Sequence, residues 1–135
     1  MKLDFKLFSR QSRFRGLKCG EIQCLNSYVK IAAQRLEGNG EVIRFHYRIV
    51  PYEYFNPKLG KIGTNYFDFD VEYKRERKLI QCVPDGLLTE DTMVCRLDAM
   101  ELKALDLKLP LEIWGDEILF GTNPAYRESL INFFS

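Results

Sequence analysis

From Tyr66 to Tyr73 the chain reads Tyr-Phe-Asp-Phe-Asp-Val-Glu-Tyr, apolar and acidic residues alternating from Phe67 onward. Successive side chains on a strand point to opposite faces. Phe67, Phe69, Val71 and Tyr73 therefore make one apolar face, and Asp68, Asp70 and Glu72 a polar one. Glu41–Val50 alternates in the same way, with Ile43, Phe45, Tyr47 and Ile49 against Arg44, His46 and Arg48. Two strands, Glu41–Val50 and Thr64–Tyr73, are expected to pair, with Arg44 and Arg48 facing Asp68, Asp70 and Glu72. Opposite charges across a ladder contribute about 0.2–1 kcal/mol per pair. A sheet with one wetted face is expected to be antiparallel.

A chain of 135 residues suits one domain, and 46% hydrophobic with 29% charged residues is the balance of a folded, not a disordered, sequence. No apolar run is long enough to cross a bilayer, and the first residues carry no secretory pattern, so a cytoplasmic protein without a membrane is expected. Cys19, Cys24, Cys82 and Cys95 form no Cys-x-x-Cys pair, and His46 is the one histidine. Reduced thiols are expected, with no metal or cofactor. Net charge is +1 but uneven. Residues 1–18 hold six Lys/Arg and one Asp (+5), residues 19–83 ten basic and eight acidic (+2), and residues 84–135 four basic and ten acidic (−6). The basic start and acidic end are suited to attract each other within or between molecules, and the start equally suits an anionic partner.

Along the chain, Met1–Phe8 alternates and predicts a strand or ordered arm. Ser9–Lys18 reads either as a solvated connector or as a nucleic-acid arm. In the second reading Arg10, Arg13, Arg15 and Lys18 contact phosphates while Phe8 and Phe14 stack on bases. Ile22, Leu25, Val29, Ala32, Ala33 and Leu36 fall at helical spacing over Glu21–Glu37, and Gly38 suits the C-cap. The competing reading makes Tyr28–Leu36 a strand turned at Asn39-Gly40, which would tilt the domain to a mostly β barrel or sandwich. Pro51–Gly63 is a long loop whose Tyr52, Tyr54, Phe55, Lys58 and Lys61 offer a contact surface, unless its aromatics fold back as core or as a small hairpin. Lys74–Lys78 is a turn and Leu79–Val83 a strand. Thr89 caps a helix over Glu90–Leu105. Asp106–Trp114 alternates around Pro110, as an edge strand does. Gly115-Asp116 suits a tight turn into a strand, Glu117–Phe120, and Asn123 with Pro124 opens a last helix.

Pro84-Asp85 followed by Glu101-Leu102-Lys103 resembles the PD-(D/E)xK nuclease signature. The resemblance implies carboxylates that hold Mg²⁺ and a lysine that orients or activates water. On a helix, however, Glu101 and Lys103 point roughly 200° apart. Asp106-Leu107-Lys108 would restore strand geometry, with Asp85 as the first acid. Such triplets also recur at Asp4-Lys6 and Glu72-Lys74, as expected in a charged chain. His46 has no partner nearby in sequence, Asp68, Asp70 and Glu72 read as a solvated face, and no glycine-rich phosphate loop is present.

The expected element order is β-α-β-β-β-α-β-β-α. Without its first strand it is similar to that of type III secretion chaperones, a likeness of fold alone. The expectation is one α+β domain over 1–135 with a basic N-terminal arm (1–18). Its antiparallel sheet has about five to six strands, with two to three helices on one face. The function expected is a non-enzymatic protein-interaction or assembly domain that self-associates. The alternative is a nucleic-acid-associated protein, with Mg²⁺ only if it is a nuclease.

Overall fold

The computed structural model describes residues 10–121. The expectations for Met1–Phe8 and for the helix opened by Asn123 and Pro124 lie outside them.

The first described element is a hairpin, β1 (Ser12–Gly16) and β2 (Gly20–Cys24), followed by α1 (Ser27–Gly38). Then come β3 (Val42–Tyr47), β4 (Pro51–Asn56), β5 (Lys61–Tyr66), β6 (Phe69–Tyr73) and β7 (Arg77–Cys82). A 3-10 turn at Asp85–Leu87 leads into α2 (Asp91–Leu107), β8 (Leu111–Trp114) and the short α3 (Asp116–Phe120). Four strands form a sheet in the order β3-β6-β7-β8, while β1-β2 and β4-β5 each make a two-stranded sheet.

The paired strands read from the sequence are present, in a longer form. β3 pairs antiparallel with β6 and β4 with β5, so residues 42–73 are one ribbon folded back at Pro57–Gly60. The expected loop Pro51–Gly63 is the outer half of that ribbon. Its tip is closed by Asn56 Oδ1, which accepts from the Lys58 and Leu59 amides, and by Gly60 at φ 65, a left-handed conformation glycine takes cheaply. Between the pairs Tyr47↔Phe69 and Pro51↔Tyr66 the first strand has three residues and the second has two. One extra residue is a bulge, and it bends the ribbon. Arg48 sits there at φ 54. Two backbone bonds carry the pairing through the bend, Arg48 N–H to Asp68 O at 3.0 Å and Phe67 N–H to Val50 O at 3.0 Å. Of the two arginines expected to face the acids, Arg44 meets Glu72 at 2.9 Å, while Arg48, turned aside in the bulge, bonds Asn65 instead.

The α+β class holds, while three features of the sheet differ from expectation. The main sheet has four strands instead of five to six, because β1-β2 and β4-β5 pair apart from it. β8 runs parallel to β7, because α2 carries the chain across between them and a crossover of that kind returns a strand in the same direction. The helices also cover both faces. On β7, Ile80 packs with Tyr28, Val29, Ala32 and Leu36 of α1 and with Phe45, Phe69, Val71, Leu119 and Phe120. Its neighbour Leu79 points the other way, into Tyr52, Phe67, Met100 and Ala104 beneath α2. Burying side chains of this size contributes about 1.5–3 kcal/mol each, so both layers are real cores.

Several boundaries move for identifiable reasons. The helix expected over Glu21–Glu37 starts at Ser27, because Gly20–Cys24 is a strand with Ile22 opposite Phe14. Asn26 is its cap, accepting from the Val29 amide at 3.0 Å. The hairpin reading of Tyr28–Leu36 is set aside: Tyr28, Val29, Ala32, Ala33 and Leu36 are buried at helical spacing. Glu90, not Thr89, caps α2, accepting from the Thr92 and Met93 amides. α2 runs to Leu107, where Lys108 ends it in a left-handed conformation at φ 57. Asp106 and Lys108 are therefore not on a strand. Glu117–Phe120 is helical, and Asp116 and Asp85 close its start by accepting from each other's backbone amide at 3.2 Å.

Candidate functional site

The nuclease set does not converge. Asp85 lies ahead of α2 and is bonded to the Asp116 amide. Glu101 and Lys103 sit ten and twelve residues into α2, about 15 Å or more along a helix rising roughly 1.5 Å per residue. Asp106 and Lys108 are at its far end. Among the described residues no group of three or more His, Cys, Asp or Glu side chains is placed to share a metal ion. His46 is exposed and stands opposite Asp70 in the ladder. The Cys24 thiol is pushed by burial up to about 11 and that of Cys82 well above its ordinary value, so neither supplies a thiolate at neutral pH.

Of the expected basic arm, the described residues from Ser12 on form a folded hairpin, and three of its cations have partners. Arg13 and Arg15 both reach Glu21, at 3.7 and 2.8 Å, and Lys18 Nζ donates to Asn39 O. Glu37 holds the turn by accepting from the Leu17 and Lys18 amides at 2.7 and 3.1 Å. Arg10 is exposed just before β1.

The aromatic stretch divides by face. Tyr52 and Tyr54 turn inward; Tyr52 is closed into the core and is not a contact residue, its hydroxyl accepting from Arg96 Nε at 2.8 Å. Phe55 turns outward opposite Ile62, and with Leu59 at the tip these three are 51%, 62% and 65% exposed. Lys58, which reaches Glu90 at 3.5 Å, and Lys61 give this apolar tip a positive rim. On α2, Val94, Asp98, Glu101, Leu102 and Leu105 recur at helical spacing on the solvent side, with Leu102 69% and Leu105 76% exposed. A groove of about 550 Å³ separates ribbon and helix, between Pro51, Glu53 and Thr64 on one wall and Ala99, Leu102 and Lys103 on the other.

At the bend of the ribbon lies a second, more enclosed site that sequence reasoning missed. A cavity of about 260 Å³ opens between Arg48, Asn65 and Asp68, the Gln81–Cys82 end of β7, and Arg96 of α2. Asp68 was expected on a wet face, yet it is 4% exposed, because α2 and the outer ribbon cover that side of the sheet. Its Oδ2 accepts from the Cys82 amide at 3.0 Å, and its own amide donates to Gln81 Oε1 at 3.0 Å. Burial pushes its carboxyl up to about 6, against the opposing pull of the Cys82 amide, Arg48 and Arg96. Asp70 is buried too, gripped by Arg77 through two bonds of 2.7 Å. Among the described residues no helix is long and apolar enough to cross a membrane. No protein-family model matches the chain, and no curated protein resembles it at a significant level.

Proposed function

We propose that the protein is a non-enzymatic interaction domain that self-associates, the basic, apolar tip of one copy's ribbon resting on the acidic, apolar stripe of another copy's α2. The observation that carries this reading is the exposure of Phe55, Leu59 and Ile62 on one element and of Leu102 and Leu105 on the other. Clustered apolar surface of this kind commonly marks a protein interface. The charges give the direction. The tip carries Lys58 and Lys61 and no acid, whereas the stripe carries Asp98 and Glu101. Like surfaces repel and unlike ones pair, so tip meets helix, and two such contacts related by a two-fold axis close a dimer.

The alternative, a nucleic-acid-associated protein, draws less support. Of its cations Arg13, Arg15 and Lys18 are engaged within the chain, leaving among the described residues Arg10, Lys61 and the largely exposed Lys58, which are spread over two elements. Light scattering on the full chain at low and high salt tests the main reading. A mass of two chains at low salt, falling to one in Phe55→Asp without loss of melting temperature, is expected. A single-chain mass at every protein and salt concentration contradicts it, and a low-salt complex with DNA or RNA would favour the alternative.

A further inference from the structure

We infer that the cavity at the bend of the ribbon binds a small molecule bearing a carboxylate or phosphate group, gripped between Arg48 and Arg96. The inference is independent of self-association, since the cavity lies beneath the bend and not at the ribbon tip. The first support is charge without contact. Arg48, Arg96 and Asp68 line a single half-open space, yet among the described residues neither arginine forms an ion pair with Asp68 or with any other acid. Arg48 instead uses one Nη2 bond, to Asn65 at 3.0 Å, and rests over the Tyr66 ring. Arg96 uses its Nε on Tyr52. Each guanidinium has five N–H donors, so both forks retain donors. An anion is the group that such paired forks satisfy, two bonds at a time.

The second support is how the arginines are held. Arg48 occupies a left-handed backbone conformation, uncommon for a residue with a long side chain, and the bulge fixes it there. Tyr52, from the core, sets the rotation of the Arg96 side chain. The third is size: about 260 Å³ sits just below the usual range of small-ligand pockets and admits a small organic acid or a phosphate-bearing fragment. Asp68 and Gln81, both buried, line the same cavity beside the arginines.

The test is a titration of the ¹⁵N-labelled full chain with inorganic phosphate and, separately, with acetate, at ionic strength held constant with sodium chloride. Saturable shifts at the Arg48, Asp68 and Cys82 amides and at the Arg96 Nε–H are expected with at least one of the two anions, and the stronger response names the ligand chemistry. Arg48→Asn should weaken binding at least about tenfold. Asparagine accepts a left-handed backbone, so this variant keeps the bend. Arg96→Lys, which retains a donor for Tyr52 but not the planar fork, should weaken binding similarly. Shifts that never saturate, that spread over exposed lysines, or that persist unchanged in both variants overturn the inference.

Discussion

Replacing Asp68 with asparagine keeps the shape of the side chain and removes its charge. The buried carboxyl titrates at about 6 in the fold, against an ordinary value of 3.8. Between those two values the folded state holds more of the proton than the unfolded state does. Stability due to this group is therefore fully present below pH 3.8 and declines as pH rises to about 6, then stays low. At about 1.4 kcal/mol per pH unit, the interval amounts to roughly 3 kcal/mol, a large share of the 5–15 kcal/mol that holds a domain of this size. Asparagine can still accept from the Cys82 amide while presenting no charge to a covered site. Asp68→Asn should be more stable than the parent at pH 8 by about 1–3 kcal/mol, the lower end reflecting the weaker hydrogen bond that an uncharged amide oxygen accepts from the Cys82 N–H. It should also lose the decline between pH 4 and 6. Urea unfolding at a series of pH values from 4 to 8 reads both effects. At typical slopes of 1–3 kcal/mol per molar urea, the midpoint at pH 8 rises by roughly 1 M. A variant less stable than the parent at pH 8 refutes the reasoning, because attraction to the arginines would then outweigh burial.

Other substitutions probe separate parts of the fold. Arg77→Ala strands the Asp70 carboxylate under cover and should cost about 1–3 kcal/mol in urea unfolding at pH 7. Met100→Ala opens the core beneath α2 and should lower stability by about 2–5 kcal/mol, read from the thermal midpoint. Glu37→Ala frees the Leu17 and Lys18 amides and should cost about 1 kcal/mol, with hydrogen exchange accelerated at the β1–β2 turn and unchanged in β7.

The parts of the fold that local pattern controls were legible. Alternation at Phe45, Phe69 and Val71 located the central ribbon, and it matched Arg44 with Glu72. Helical spacing at Val29, Ala32, Ala33 and Leu36 outweighed the turn signal at Asn39-Gly40, because a helix buries all four side chains together. What failed were inferences that depend on elements remote in sequence. Asp68 and Glu72 look alike on the strand, and only the packing of α2 over one end of the sheet makes the first buried and leaves the second paired at the surface. The loop reading of Pro51–Gly63 followed from its prolines and glycines. Those residues instead mark an edge start at Pro51 and a tip at Gly60, with Tyr52 drawn inward by Arg96, 44 positions on. The parallel return of β8 follows from the crossover, which no short window contains. The cavity was invisible for the same reason: Arg48, Asp68 and Arg96 come from three elements, and a one-residue bulge brings two of them together.

The most direct test of self-association is to mix two variants that are each disabled on one side, Phe55→Asp at the ribbon tip and Leu102→Asp on the helix. Each protein alone should be monomeric by sedimentation velocity with an unchanged melting temperature. Mixed in equal amounts they should form a two-chain species, since an intact helix on one meets an intact tip on the other. Mixtures that stay monomeric at concentrations where the parent pairs would contradict the account.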